Sequence, residues 1–277
     1  MGLRIATNVT ALNAYKNLYS LSNKQATSMA RMASGYRINN ASDDAAGLAI
    51  SENLKAQIRG LNQANRNAND GISLVQVAEG GLAETTNMLI RLRELGVQAA
   101  SDTIGDRERA LLDVEYQQLK EEIDRVSQVT QFNGTTLLNG LGGIFDIQVG
   151  TQNDPFNDRI SFDSQIMNAT NEGLGILELG VADKLSAQGS LQFVDDSINA
   201  VNAMRANLGA FQNRLQSTSQ NISNSVENFA AANSRIRDTD LASESSELAK
   251  NNILLNAATS VLGQANQQQQ LALKLLE

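Results

Sequence analysis

Two heptad series, one in each half of a 277-residue chain, constrain the fold more than any other feature. The later one runs through Val201, Leu208, Leu215, Ile222, Phe229 and Ile236. Met204, Phe211 and Ala232 hold its second seam position, and the polar Thr218 and Ser225 interrupt it. The earlier one runs through Leu54, Leu61, Ala68, Val75, Leu82 and Leu89, with Ile58 and Ile72 beside it. A strict seven-residue spacing keeps an apolar line facing another helix only when the helices supercoil around one another. Each series therefore needs a partner along its whole length, and two of similar length in one chain pair most economically as an antiparallel hairpin. The seams predict one helix from about Asp44 to Ala100 and another from about Ile198 to Ile236.

Composition narrows the function classes. The chain has 42% hydrophobic but only 4% aromatic residues, which suits helix-on-helix packing better than a bulky globular core. It has no Cys, His or Trp and a single proline, Pro155. Disulfides, Cys/His zinc sites, thiol nucleophiles and every His-dependent triad are thereby excluded. A formal net charge of −8 argues against binding nucleic-acid backbones or anionic lipid, both of which call for a basic surface. Proteins are the expected partners, and no catalytic, cofactor or metal site is expected.

The first helix is marked by Ile5, Leu12, Tyr19, Ala26 and Ala33, flanked by Val9, Tyr15, Leu18, Met29 and Met32. It should stop at Ser34-Gly35, where glycine takes the left-handed closing conformation. A loop then leads to the capping candidates Ser42, Asp43 and Asp44. Leu112, Tyr116, Leu119, Ile123 and Val126 mark a third helix ending near Val129, and Phe132-Asn133-Gly134 is a turn. Alternation with period two over Ile144–Val149 and Arg159–Phe162 predicts a small β-hairpin with Asn153-Asp154-Pro155 in its loop. Thr170 to Gln188 carries no clear pattern.

Past Ile236 a seam resumes as Leu241, Leu248, Leu255, Leu262 and Leu276. The stretch 251–273 is uncharged, but its Asn and Gln residues forbid burial in hydrocarbon, so no membrane span is expected. No apolar run follows Arg4, so no cleavable signal peptide is expected either. The terminal helices, residues 1–43 and 237–277, are sparse in large apolar residues. A pair this thin buries little, so these ends should pair with each other and pack against further copies of the chain. Residues 44–236 form the expected core, with a β region near 140–189.

Charged pairs carry no catalytic signal. Asp43-Asp44, Glu121-Glu122 and Asp195-Asp196 are neighbours that diverge by about 100° on a helix, which suits caps and solvated faces rather than acid–base work. Asn168-Ala169-Thr170 matches an Asn-glycosylation sequon.

Three motifs together bear a specific resemblance. Ala41-Ser42-Asp43-Asp44-Ala45-Ala46-Gly47-Leu48-Ala49-Ile50, Ile90-Arg91-Leu92-Arg93-Glu94-Leu95-Gly96-Val97-Gln98, and Glu122-Ile123-Asp124-Arg125-Val126 with Thr130-Gln131-Phe132-Asn133-Gly134 closely resemble bacterial flagellin. The resemblance covers about the first 140 and last 90 residues. It implies a mainly α protein, a long antiparallel helical hairpin or coiled-coil bundle with a small β-hairpin region at its outer end and without the outer variable domains of larger flagellins. It implies a structural, non-enzymatic subunit that self-assembles into a helical tube for swimming motility. Ile5, Leu12, Tyr19, Leu241, Leu248, Leu255 and Leu262 would form the polymerisation seam.

By the same resemblance the subunit would be exported by the flagellar export apparatus with an export chaperone and added beneath a filament cap. Its place would be extracellular, in the filament. Arg91, Leu95 and Glu115 would match the contact for the flagellin-sensing Toll-like receptor of animals. Two other readings share parts of the pattern: a hook–filament junction protein of the same superfamily, and a coiled-coil signalling hairpin.

Overall fold

The computed structural model describes residues 7–274. The order is α1 (Val9–Ser34), α2 (Ala45–Ala99), α3 (Asp106–Val129), β1 (Gln131–Phe132), β2 (Thr135–Thr136), β3 (Ile144–Gln148), β4 (Arg159–Asp163), α4 (Lys184–Arg237) and α5 (Leu241–Lys274). The protein is mainly α, with two small antiparallel sheets, β1-β2 and β3-β4. Two compact units result, one of residues 1–56 with 228–277 and one of residues 57–227.

The helix ends follow their local chemistry. Gly35 closes α1 at φ 74°, its N–H bonding Arg31 O. Asp44 starts α2, its Oδ1 accepting from Gly47 N at 2.8 Å. Asp43 does something different: its Oδ2 accepts from the backbone N–H groups of Asn40 and Asn39 at 3.0 and 3.1 Å and so fastens the loop. Those bonds, Asn40's first, hold the Asp43 carboxyl below the usual carboxylate range. Beyond α2, the buried Arg109 donates to Ala99 O and Ser101 O at 2.8 and 2.9 Å, satisfying carbonyls that the helix end leaves open.

In the unit of residues 57–227, α2 and α4 run antiparallel. Ser219 donates to Asn65 Oδ1 at 2.6 Å, and further along Arg93 meets Asp195, also at 2.6 Å. Val75, Leu82 and Leu89 of α2 and Val201, Leu208 and Leu215 of α4 are fully buried, and α3 adds Tyr116 and Ile123. Leu74, Leu92 and Leu95 lie outside the heptad line yet are also buried, because α3 covers a second face of α2.

The α4 helix begins at Lys184, well before the expected start near Ile198. Asp183 caps it by accepting from Ser186 N at 2.9 Å. Its seam starts at Ala187 and Val194, with Ser190 buried between them and Ser197 buried just after. A small residue and two hydroxyls stand where Leu would have made the heptad visible. Their hydroxyls are satisfied within the helix: Ser190 donates to Ala187 O and Ser197 to Phe193 O.

The unpatterned segment ahead of α4 belongs to the core rather than to a surface loop. Met167, Ala169, Leu174, Ile176 and Val181 are buried without helix or strand. Side chains from α3 supply the missing backbone partners. Lys120 Nζ donates to Leu177 O and Leu179 O at 2.7 Å, and Asp113 accepts from Val181 N at 2.7 Å. Burial pushes the Lys120 ammonium below its ordinary pKa.

The β3-β4 hairpin pairs Phe145 with Phe162 and Ile147 with Ile160, and its apolar alternation packs on the helices. A Cβ on Gly71 would meet Ile147 Cδ1 at 2.5 Å, and one on Gly81 would meet Leu138 Cδ1 at 2.7 Å. These glycines clear space for side chains of the β region and the loop before it. The turn at Asn133-Gly134 takes positive φ at both residues, 49° and 81°, and joins β1 to β2 as a further hairpin.

Candidate assembly surface

In the other unit α1 and α5 pack antiparallel. Arg31 meets Glu244 at 4.0 Å, Gln25 Nε2 donates to Asn252 Oδ1 at 2.5 Å, and Asn8 Nδ2 donates to Ala265 O at 3.1 Å. Along this pair only Ala14, Ser28, Asn251 and Ala265 are buried among the described residues. Two are alanines and two are polar. Close approach needs small side chains, so the large ones are left on the flanks or outside.

The predicted α1 heptad accordingly faces away from α5. Leu12 and Tyr19 are 65% and 63% exposed, and Ala26 and Ala33 are exposed with them; Ile5 lies outside the described residues. Val9, Tyr15 and Met29 extend that outward stripe. On α5 the Leu line divides. Leu248, Leu255 and Leu262 are half-buried, whereas Leu241 is 57% exposed. Ile253, Leu254 and Val261 also face solvent, and sequence reasoning missed them because the Leu series next to them drew the helix's period.

A small junction closes this unit. Arg37 N donates to Arg237 O at 2.7 Å and Thr239 N to Gly35 O at 3.0 Å, which zips the two short connections together. The Arg237 guanidinium lies 4.7 Å from the Tyr36 ring centroid and donates to Glu52 Oε1 at 2.5 Å. That bond is the main reason the Glu52 carboxyl falls below its usual range.

The three residues of the expected receptor contact lie in the unit of residues 57–227. Arg91 donates through Nε to Glu115 Oε1 at 2.9 Å and through Nη1 to Glu94 Oε2 at 3.0 Å. The Glu115 bond is the larger cause of the raised Arg91 pKa. Both partners are exposed. Leu95 is fully buried beneath them in the helical core, so it shapes this surface without facing it. Asn168 of the sequon is turned inward: its Oδ1 accepts from Thr170 Oγ1 at 2.7 Å, and its side chain packs on Gly140 and Gly173. No cluster of acidic side chains among the described residues could hold a metal ion, and no described helix is long and apolar enough to cross a membrane.

Comparison with known proteins decides the family. Residues 5–142 match the model of the bacterial flagellin N-terminal helical region, and residues 191–276 match that of the C-terminal helical region. The chain belongs to the flagellin family. It is 44% identical over 269 residues to a flagellin of Halalkalibacterium halodurans, covering 97% of this chain and 98% of that one. It is 40% identical to a flagellin of Bacillus subtilis over 99% of this chain and all of the relative. The crystal structure of Bacillus cereus flagellin superposes with a TM-score of 0.51 at 31% identity, covering 61% of this chain and 94% of that one.

As a flagellin, the protein is a structural subunit of the bacterial flagellar filament, an extracellular appendage built from identical copies. Neither the junction-protein nor the signalling-hairpin reading is favoured. The two matched regions hold α1 to α3 with the β1-β2 pair, and most of α4 with α5, while residues 143–190 between them hold the β3-β4 hairpin, the irregular core segment and the first turns of α4.

Proposed function

We propose that the filament is held together by the outward stripes of the terminal helices: Val9, Leu12, Tyr15, Tyr19 and Met29 on α1, and Leu241, Ile253, Leu254 and Val261 on α5. One observation carries this reading. Among the described residues the pair buries two alanines, a serine and an asparagine between its helices and leaves nine large apolar side chains in water. A monomer gains little from such an arrangement, whereas a neighbour covering it gains about 1.5–3 kcal/mol per fully buried large side chain. Leu248, Leu255 and Leu262 act differently from Leu241: they hold α5 on α1 within each subunit.

In a head-to-tail helical polymer every copy uses two different surfaces, and growth continues because the rotation never closes. Export through the flagellar apparatus, a chaperone that shields the terminal helices beforehand, and a cap that guides their docking are the partners such exposed stripes call for. Arg91 and Glu115 form the receptor-facing part of the surface, with Leu95 setting the α2 register below them.

The test is paired substitution. Leu12→Ser with Tyr19→Ser should abolish filaments in electron micrographs while the circular dichroism of the monomer is nearly unchanged, because both side chains are already exposed. Normal filaments from that variant contradict the reading.

A further inference from the structure

Phe156 sits in the connection between β3 and β4 with 88% of its surface exposed. The loop around it is fastened rather than loose. Asp154 Oδ1 accepts from Phe156 N at 2.9 Å, and its Oδ2 accepts from Asn157 Nδ2 at 2.6 Å. Asp158 N donates to Asp154 O at 2.9 Å, while Asp158 Oδ2 accepts from Asp154 N at 3.2 Å. Pro155 removes a further degree of freedom. A single exposed aromatic needs no explanation. One held on a fixed loop, in a molecule that must present complementary surfaces to its own copies, is a candidate knob.

Among the described residues, clefts of the same unit offer such a ring a seat. The one lined by Asn67, Asp70, Phe132, Phe145 and Asp146 has two carboxylates, which would face Asp154 and Asp158 of the incoming loop. The one lined by Ile90, Arg93, Glu94 and Val97 has its arginine engaged by Asp195 and adds a carboxylate of its own. The third, between α2 and α3, is walled by Val77, Val126 and Val129, with Arg125 as its one charged lining side chain. Its volume is about 220 Å³. It is an open groove, its walls Val77 and Val129 themselves 41% and 58% exposed, so an incoming ring would lie against it. Arg125 bonds Glu122 through Nε and Nη2 in an exposed pair worth little in water, and Nη1 has no partner among the described residues.

We propose that Phe156 of one copy seats in the Val77–Val129 cleft of a neighbouring copy, with Asp154 meeting Arg125. The knob cannot fill the cleft of its own unit. Thr151, at the base of the loop, packs at Gly60, and Val77 lies 17 residues further along α2, about 25 Å at 1.5 Å per residue. The contact is heterologous, with knob and cleft separated along α2, and joins residues 57–227 of successive copies. It rests on the filament of identical subunits but not on the terminal stripes.

The absence of native cysteine makes the test clean. Filaments of the full-length double variant Phe156→Cys/Val129→Cys, oxidised after assembly, should give a ladder of covalent multimers on a non-reducing gel. Each single variant, and the control Phe156→Cys/Val114→Cys, should give none. Phe156→Ser should raise the critical concentration for polymerisation about ten-fold, and Phe156→Leu should restore most of it. Filaments seen by microscopy but lacking a ladder, together with an unchanged critical concentration for Phe156→Ser, overturn the proposal and leave the terminal-stripe reading standing. Loss of filaments in Leu12→Ser/Tyr19→Ser alone bears only on the stripes.

Discussion

Gln25 donates to Asn252 at 2.5 Å across 227 residues of chain, so an amide contact sets the register of the α1–α5 pair together with the half-buried Leu248, Leu255 and Leu262. Polar groups at a helix seam specify alignment at a cost in stability. The monomer should therefore hold this pair weakly. Limited proteolysis of dilute protein should cut within α1 and α5 well before it cuts residues 57–227. Equal resistance of both units would show that the pair is stable without neighbours.

Two of the glycines of α2, Gly80 and Gly71, should respond oppositely to alanine. A methyl group added at Gly80 would have nothing within 4 Å, so Gly80→Ala should gain about 1 kcal/mol of helix propensity. Gly71→Ala brings Cβ against Ile147 Cδ1 and Leu215 Cδ1, and overpacking of about 1–3 kcal/mol should exceed the propensity gain. Thermal unfolding of the two variants should shift in opposite directions.

Much of this was legible in sequence. The end of α1, the start of α2 and the end of α3 were marked by Gly35, Asp44 and Val129, and the β3-β4 hairpin by its alternation, because caps, turns and period-two patterns are local. The start of α4 was hidden because Ala187, Ser190 and Ser197 fill a seam without hydrophobic bulk. The irregular core at 164–183 was hidden because its backbone is satisfied by Lys120 and Asp113, some 50 to 70 residues away in sequence. At the assembly surface the heptads named Leu12 and Tyr19 but not the direction they face. Two seams on opposite sides of a thin helix have the same period, and small residues at Ala14 and Ser28 decide which one meets α5.

Tyr116 is fully buried, and its hydroxyl has no hydrogen-bond partner among the described residues, although it lies near Ser190. Burial pushes its pKa from 10.0 up to about 12. A raised folded pKa gives stability that is complete below pH 10 and is lost as pH rises through about 12. Lys120, whose pKa is lowered, works in the opposite sense as it sheds its proton. Tyr116→Phe should remove the orphan hydroxyl, raise the melting temperature at neutral pH by a few degrees, and move the alkaline loss of helix to higher pH. Circular dichroism against pH checks both.

Arg91→Ala and Glu115→Ala should each leave the melting temperature within about 1 °C of the parent, since their pair is exposed and such pairs contribute little. If they form the receptor-facing surface, each should weaken signalling by soluble monomer through the flagellin-sensing Toll-like receptor. Unchanged potency in a cell reporter assay for both variants removes that role without touching the fold.

Residues 57–227 make a folded body, and on the proposed reading the terminal helices make the filament. Leu215 is fully buried in that body, so Leu215→Ala should destabilise the monomer itself by about 2–5 kcal/mol. The most direct measurement is electron microscopy and thermal unfolding of the chain truncated before Leu241. A soluble, cooperatively unfolding helical monomer that builds no filaments at any concentration at which the full chain does is the expected result. Ordinary filaments from the truncated chain would contradict it.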